Sequence, residues 1–209
     1  MNRLIIIPLV LGLAALGVAF SKPDPVKEVS NYTLHEWGIF TSVFGADGRM
    51  LAGLEREEEA LPPFVYAHAG MRSKPGLKAM TRPVHNVTVK METPVIYFYS
   101  DEGFKAHVDV GFHGGSISQW YPNRSSGEVP PTFKGDNFQS TAIDFAKGYE
   151  GSIAWDVEVL ERSSENDRKP FVGTESTSWL YPRMTDANVV KNAEGAHEKY
   201  LFYRGLGNL

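Results

Sequence analysis

Regular alternation of apolar and polar side chains is the feature that most restricts the fold of this chain. In SIAWDVEVLE, Ile153, Trp155 and Val157 occupy every second position, with mostly polar residues between them. FKAHVDVGFH, residues 104–113, repeats the pattern. A period of two is typical of half-buried β-strands. The sequence therefore predicts a mainly β fold, an antiparallel β-sandwich with long loops and little helix.

Two further stretches predict strands that are buried more deeply. VTVKMETPVIYFYS contains an unbroken apolar and aromatic run from Val95 to Tyr99, which indicates a strand covered on both faces. Pro94 cannot donate a ladder hydrogen bond and marks a bend or bulge. EKYLFYRGLG near the end predicts another strand. Helix signals are weak, and the clearest is Asp186, a candidate N-cap for residues 185–199.

The N-terminal residues have the pattern of a secretory signal peptide. Arg3 precedes an uncharged apolar run from Leu4 to Phe20, and the small residues Ala19 and Ser21 suit cleavage before Lys22. The alternative is a retained N-terminal anchor, since the run is near the lower length limit for a membrane span. We expect a signal peptide at 1–21, a flexible lead at 22–32 and a β-sandwich domain at 33–209.

Composition limits the cellular compartment and the classes of binding partner that fit this chain. The chain has no cysteine, which fits a bacterial periplasmic or extracellular protein better than a eukaryotic secreted one and excludes a lipoprotein. Its formal net charge is −4. A mildly acidic chain lacks the basic stripe that phosphate backbones require, so nucleic acid and anionic membrane surfaces are unlikely partners.

The pair His35-Glu36 invites a metal or acid–base interpretation. In a strand, adjacent side chains point to opposite faces and cannot readily share one metal. A zinc-protease helix needs a second histidine four residues after the first, where this chain has Ile39. We therefore expect His35 or Glu36 to be a buried hydrogen-bonding group in a strand.

His107, Asp109 and His113 share one predicted strand face and are weak metal-ligand candidates. Same-face neighbours lie about 6.6 Å apart, so His107 and His113 in a straight strand are too far apart for one ion. His107 and Asp109 would need a further ligand from another strand. A solvated polar face is the favoured interpretation, and we expect no metal or other cofactor.

No catalytic set is apparent in the sequence. Ser116, in GGSIS, lacks the glycine pattern of a nucleophile elbow, and the absence of cysteine excludes thiol chemistry. A hydrolase that draws carboxylates from several strands remains an alternative, because sequence cannot show which carboxylates meet. The candidates for that role are Glu36, Glu92, Asp109, Asp156 and Glu158.

The segment SQWYPN supplies the strongest binding-site candidates. Trp120 and Tyr121 stand at a predicted strand end, flanked by Gln119 and Asn123. An exposed aromatic pair of this kind could stack on a sugar or hold a peptide. The alternative is a Trp that packs in the core, which is the default for large aromatic side chains and is expected for Trp155.

The C-terminal stretch LFYRGLGNL stops directly after an apolar strand and a glycine turn, with no polar tail. This pattern suggests a truncated product. If a further segment normally covers the last strand, Leu201, Tyr203 and Leu206 should lie partly open along an apolar edge.

Five motifs together resemble those of a known family. They are HEWGIFTSV from His35, LPPFVYAH from Leu61, METPVIYFYS from Met91, ISQWYP from Ile117 and EKYLFYRGLGN from Glu198. The chain resembles exported bacterial proteins of unknown function with a His-Glu-Trp-Gly-Thr-Phe-Thr signature, common in planctomycetes and myxobacteria. Here Ile39 replaces a threonine of that signature. The resemblance implies export and a chain that continues past Asn208, but no activity.

These observations favour an exported, non-catalytic binding module for a glycan or an envelope protein. A hydrolase and a structural surface protein are the alternatives.

Overall fold

The computed structural model describes residues 31–55, 61–68, 84–128, 143–167, 171–173 and 177–209. The predicted signal peptide and most of the predicted lead lie outside these ranges, while the first strand already begins at Tyr32. The mainly β prediction is confirmed. None of the helices in the described ranges has the length and apolar character needed to cross a membrane.

Twelve strands make up most of the described structure. They are β1 Tyr32–Ser42, β2 Tyr66–Ala67, β3 Val84–His85, β4 Val89–Ser100, β5 Phe104–His113, β6 Gly115–Tyr121, β7 Ser126–Gly127, β8 Ile143–Asp144, β9 Glu150–Val159, β10 Val190–Asn192, β11 His197–Glu198 and β12 Leu201–Gly207. The helical elements are short: α1 Ser164–Asp167, α2 Thr177–Leu180, and 3₁₀ turns at Phe145–Lys147 and Tyr181–Arg183.

Ten of the strands join one hydrogen-bonded sheet in the order β1-β4-β12-β6-β9-β10-β11. β2 pairs with β6, whereas β5 and β7 pair with β9. Neighbours are antiparallel except where Gly115 of β6 meets Glu150 of β9 in a parallel contact. β3 and β8 form a separate parallel pair. Ten of the twelve strands are thus linked through one sheet, and the division into the two sheets of a sandwich stays a prediction.

The main core lies where residues of β4, β6 and β12 pack with residues of β5, β9 and β10. The alternation predicted for β5 and β9 is present, since Val108 and Ile153 contribute to this core while Lys105 and Asp156 are exposed. Trp155 is fully buried, as predicted, and its indole Nε1 donates to the carbonyl of Pro122 at 3.0 Å.

β4 carries a bulge at the predicted position. Trp37 pairs with Val95 and Ile39 with Glu92, so Gly38 of β1 faces both Thr93 and Pro94. The extra residue therefore belongs to β4, and β1 stays regular. A Cβ on Gly38 would lie 3.1 Å from Cα of Pro94, which explains why glycine occupies this position.

Two expectations for the C-terminal part are wrong. Residues 185–199 form the β10–β11 hairpin rather than a helix, because β-branched Val189 and Val190 lead into a turn that Gly195 closes at a φ of 86°. β12 is not an open edge, since it lies between β4 and β6. Its residues Leu201, Tyr203 and Leu206 are buried.

A buried ion pair fixes the segment 177–185 against the sheet. Arg183 Nη2 lies 2.7 Å from Glu198 Oε2, and Arg183 Nε donates to both oxygens of the same carboxylate. Trp179 Nε1 donates to Glu198 at 3.1 Å, and Arg183 Nη2 also reaches the carbonyl of Val172 at 2.7 Å. Glu198 is completely buried, so its charge depends on these donors rather than on water.

We expect Arg183→Met to lower the free energy of unfolding by about 3–5 kcal/mol, because it leaves the Glu198 carboxylate buried without its cation. Arg162→Met is the matched control. Arg162 pairs with Asp186 at 3.3 Å on the exposed surface, where loss of a pair costs about 1 kcal/mol or less. Urea unfolding of both variants measures the two losses in the free energy of unfolding. Equal losses would show that the buried pair stabilises the fold no more than the exposed pair does.

Glycine at position 151 is required where β6 and β9 approach each other. A Cβ there would lie 2.6 Å from the carbonyl oxygen of Gly115 and 3.0 Å from Cα of Ser116, both backbone atoms. Gly151→Ala should therefore destabilise the protein by about 1–3 kcal/mol. At Gly111 of β5 an added Cβ meets nothing within 4 Å. Gly111→Ala should be neutral or stabilise by up to about 1 kcal/mol in thermal unfolding; a comparable loss at both positions would contradict the steric argument.

Candidate functional site

A groove of about 850 Å³ lies between β1 and the segment 179–185. We call it the aromatic groove because its lining includes Trp37, Tyr97, Tyr99, Trp179, Tyr181, Tyr200 and Phe202. Its volume lies in the range of about 300–1,000 Å³ that is typical of small-molecule sites.

The floor of the aromatic groove follows from the alternation along β4. Ile96 and Phe98 point into the main core, so Val95, Tyr97 and Tyr99 face the opposite side. The run Val95–Tyr99 was predicted to be covered on both faces, but Tyr97 and Tyr99 are only partly buried. Residues of β12 and β1 extend the floor on either side, because β4 pairs with both strands.

Tyrosine hydroxyls attach the second wall to the floor. Tyr97 donates to the carbonyl of Pro182 at 2.9 Å, Tyr200 donates to that of Trp179 at 3.3 Å, and the Tyr99 hydroxyl lies 3.1 Å from the Thr185 hydroxyl. Burial raises the pKa of the Tyr97 phenol to about 12, so this donor keeps its proton at neutral pH. The buried Arg183–Glu198 pair holds the same wall from below.

The rims of the aromatic groove are exposed. Trp37 on β1 is 69% exposed, while Tyr181 and Met184 on the other wall are 72% and 80% exposed. Large apolar side chains with this exposed fraction do not contribute to the core, and clusters of them on a surface are typical of interaction sites. Between the rims lie the polar groups of His35, Thr185 and Arg204. The arrangement can hold a ligand by aromatic contact and orient it by hydrogen bonds.

The site predicted at residues 119–123 is not an open one. Trp120 and Tyr121 are each 5% exposed and Gln119 is 1% exposed, so the expected exposed aromatic pair does not form. The rings of Tyr66 and His68 and the guanidinium of Arg124 cover Trp120.

Tyr121 and Asn123 likewise have structural partners. Tyr121 packs edge-on against Phe64 and Trp179. Asn123, partly exposed, donates to Glu194 at 2.6 Å. The predicted aromatic pair is buried because other side chains pack over this strand end. The sequence alone does not show whether a strand end is covered or exposed.

His35 and Glu36 lie on β1, as expected for a strand pair, and both line the aromatic groove. Glu36 accepts a hydrogen bond from the Tyr203 hydroxyl, and the His35 ring lies 5.1 Å from that of Tyr99. Glu36 is therefore a hydrogen-bonding group, although both residues are exposed rather than buried.

His107 and Asp109 belong to an exposed ladder of charges on β5 and β9. His107 Nδ1 lies 2.7 Å from Asp156, and its Nε2 lies 2.9 Å from Asp109. These hydrogen bonds, first to Asp156 and then to Asp109, raise the pKa of His107 and favour its protonated form, which cannot ligate a metal. His113 pairs separately with Glu150 at 2.6 Å. No group of three or more metal-ligating side chains occurs among the described residues.

The remaining carboxylates nominated for hydrolysis have separate partners. Glu92 accepts from Thr41 at 2.8 Å and lies 3.3 Å from Lys90. Glu158 pairs with Lys191 at 2.8 Å. Thr41–Glu92 and Lys191–Glu158 are ordinary contacts between neighbouring strands, and Lys90 and Glu92 are neighbours on one face of β4.

A largely buried carboxylate that the sequence did not single out is that of Glu128, after β7. Ser116 donates to its Oε1, and His68 Nε2 lies 3.8 Å from the same oxygen. Burial is the largest cause that raises the pKa of Glu128, to about 7. Serine here donates to the acid and not to the imidazole, so the three residues do not form a serine–histidine–acid relay.

The aromatic groove cannot be predicted from local sequence patterns, for a specific reason. Its residues come from β1, β4, β12 and the segment YPRMT, which lie far apart in the chain. The sequence signal for it was the pair of tyrosines, Tyr97 and Tyr99, in the run Val95–Tyr99. A strand covered on both faces would need hydrogen-bond partners for both hydroxyls, so tyrosines there indicate a partly open face.

We expect the protein to lose stability as pH rises from about 4.5 to 7, because folded Glu128 keeps its proton over this window while the unfolded chain loses it. Glu128→Gln should remove this slope and stabilise the protein at pH 8 by on the order of 1–2 kcal/mol, after allowance for solvent screening. Ser116→Ala removes a hydrogen bond that lowers the pKa, so it should extend the slope to higher pH. Denaturant unfolding from pH 4 to 9 measures all three proteins; an unchanged slope in Glu128→Gln would refute the assignment.

Comparison with known proteins identifies no relative. No protein-family model, no curated protein and no solved structure matches the chain. The resemblance to the exported bacterial family therefore stays a prediction, and a functional conclusion depends on the geometry described above.

Proposed function

We propose that this protein is a non-catalytic binding module that holds a glycan in the aromatic groove. The observation that carries the proposal is the pair of exposed aromatic rims, Trp37 and Tyr181, on opposite walls of a groove with an aromatic floor.

Aromatic walls suit a sugar ring for an electrostatic reason. The face of an indole or phenol ring carries the negative part of its quadrupole, and the C–H groups of a pyranose are its positive counterpart. Trp37 and Tyr181 expose most of their surface, so a sugar can cover them without displacing core side chains.

The polar groups of the groove supply direction. His35, Thr185 and Arg204 combine hydrogen-bond donors and acceptors within a largely apolar lining. Sugar hydroxyls both donate and accept, so a mixed set of this kind fits them. A few placed polar groups in an aromatic pocket are the usual way in which a binding site fixes the orientation of its ligand.

The setting completes the proposal. The signal-like N-terminus and the absence of cysteine support a bacterial protein that acts in the periplasm or outside the cell, where glycans are abundant. A protein ligand in the same groove is the second candidate, favoured by the exposed apolar side chain of Met184 on its rim. The hydrolase and purely structural roles gain no specific support from the geometry.

A glycan array on the purified protein tests the proposal, followed by titration calorimetry with the sugar that binds best. Trp37→Ala and Tyr181→Ala should each weaken binding about tenfold, which corresponds to about 1.4 kcal/mol for one stacking contact. Tyr66→Ala is the matched control, because Tyr66 is an exposed tyrosine that stacks on Trp120 away from the groove.

An array without a binding glycan would contradict the proposal. An equal loss in Tyr66→Ala would place the ligand near Trp120 instead. If the protein binds a peptide and neither Trp37→Ala nor Tyr181→Ala weakens that binding, the peptide does not occupy this groove.

A further inference from the structure

The first strand presents an unusual edge. β1 is eleven residues long and regular, and β4 is its only partner in the part of the chain that the structure describes. Its outer side therefore offers a row of backbone N–H and C=O groups. Such a row is a template for another strand.

Side chains on both faces of β1 are exposed and apolar. Leu34 and Phe40 point to one face, Trp37 and Ile39 to the other, and all four are among the exposed large hydrophobic residues. Soluble proteins usually protect such an edge with lysine, proline or a bulge. YTLHEWGIFTS contains neither lysine nor proline, and the bulge belongs to β4.

We infer that β1 pairs antiparallel with β1 of a second copy of this chain, which forms a two-fold dimer with a continuous sheet. The register that pairs all eleven residues places Trp37 on the two-fold axis, opposite its own copy. Leu34 then faces Phe40 of the other copy, and Thr33 faces its Thr41. A strand of this length spans about 36 Å.

Charge distribution supports a second copy as the occupant. Glu36 is the only acid in β1, and the strand has no lysine or arginine. In the symmetric register Glu36 faces Gly38, so no like charges meet across the axis. Apolar residues face apolar or small residues at most other positions, which is the self-complementarity that an isologous interface requires.

The inference stands apart from glycan binding, although the two features share Trp37. In a sheet paired about a perpendicular two-fold axis, equivalent faces lie on the same side. The two aromatic grooves would therefore meet at the paired Trp37 side chains.

Sedimentation equilibrium of the purified protein without ligand is the test. We expect a concentration-dependent monomer–dimer equilibrium. Trp37→Lys and Trp37→Glu should each raise the dimer dissociation constant at least tenfold, because like charges would face each other on the axis. An equimolar mixture of the two variants should restore a dimer, and native mass spectrometry should show the mixed species. This arm also shows that both variants are folded.

Val172→Lys is the control for surface charge, because Val172 is an exposed apolar residue outside β1. It should dimerise as the unchanged protein does, and so should Tyr181→Ala, even if the latter binds no glycan. The inference would be overturned if the protein stayed monomeric at all concentrations or associated without limit. It would also be overturned if Trp37→Lys dimerised as strongly as the unchanged protein, or if the mixture of the two variants formed no mixed dimer.

Discussion

The carboxylate of Glu198 is the charge on which the groove side of the molecule depends. It is shut away from water and receives donors from Arg183, Trp179 and the backbone of Lys199. A carboxylate in such a place is tolerated only with a full set of donors, since the cost of desolvation is large. The 177–185 segment supplies two of those donors. Its position is therefore fixed by the need to satisfy one buried charge.

This dependence explains how a short irregular segment can serve as the wall of a binding site. The segment contains only one helical turn and a 3₁₀ turn, and Trp179 is its one buried aromatic anchor in the cluster with Tyr121, Tyr200 and Phe202. The ion pair holds it from within, and hydroxyls of tyrosines on the floor hold it along the groove. Polar contacts here add to the apolar packing of Trp179. Such contacts are directional, so the wall adopts one defined position over the floor.

The strands could be predicted because their pattern is local, whereas the groove could not. Alternation in residues 104–113 and 152–159 identified β5 and β9 and their inward faces, and Pro94 marked the bulge. Trp120 and Tyr121 show the limit of such arguments. Whether an aromatic residue at a strand end is exposed depends on what covers it, and the covering side chains of Tyr66, Phe64 and Trp179 lie far away in sequence. The same holds for β12, whose two neighbours cannot be read from its own residues.

The central position of β12 has a consequence for how the chain reaches its native state. Leu201 pairs with Ile96, and Phe202 pairs with Tyr121 on the other side, so β12 inserts between strands made far earlier. Until it arrives, β4 and β6 each lack a neighbour and the sheet is interrupted at its middle. Contacts between residues this far apart in the chain have a high entropy cost before they form. Folding is therefore slow, as in other β topologies with many long-range contacts. A slowly closing sheet leaves the edges of β4 and β6 that β12 will cover open to other chains for longer, so association during folding competes with the last strand.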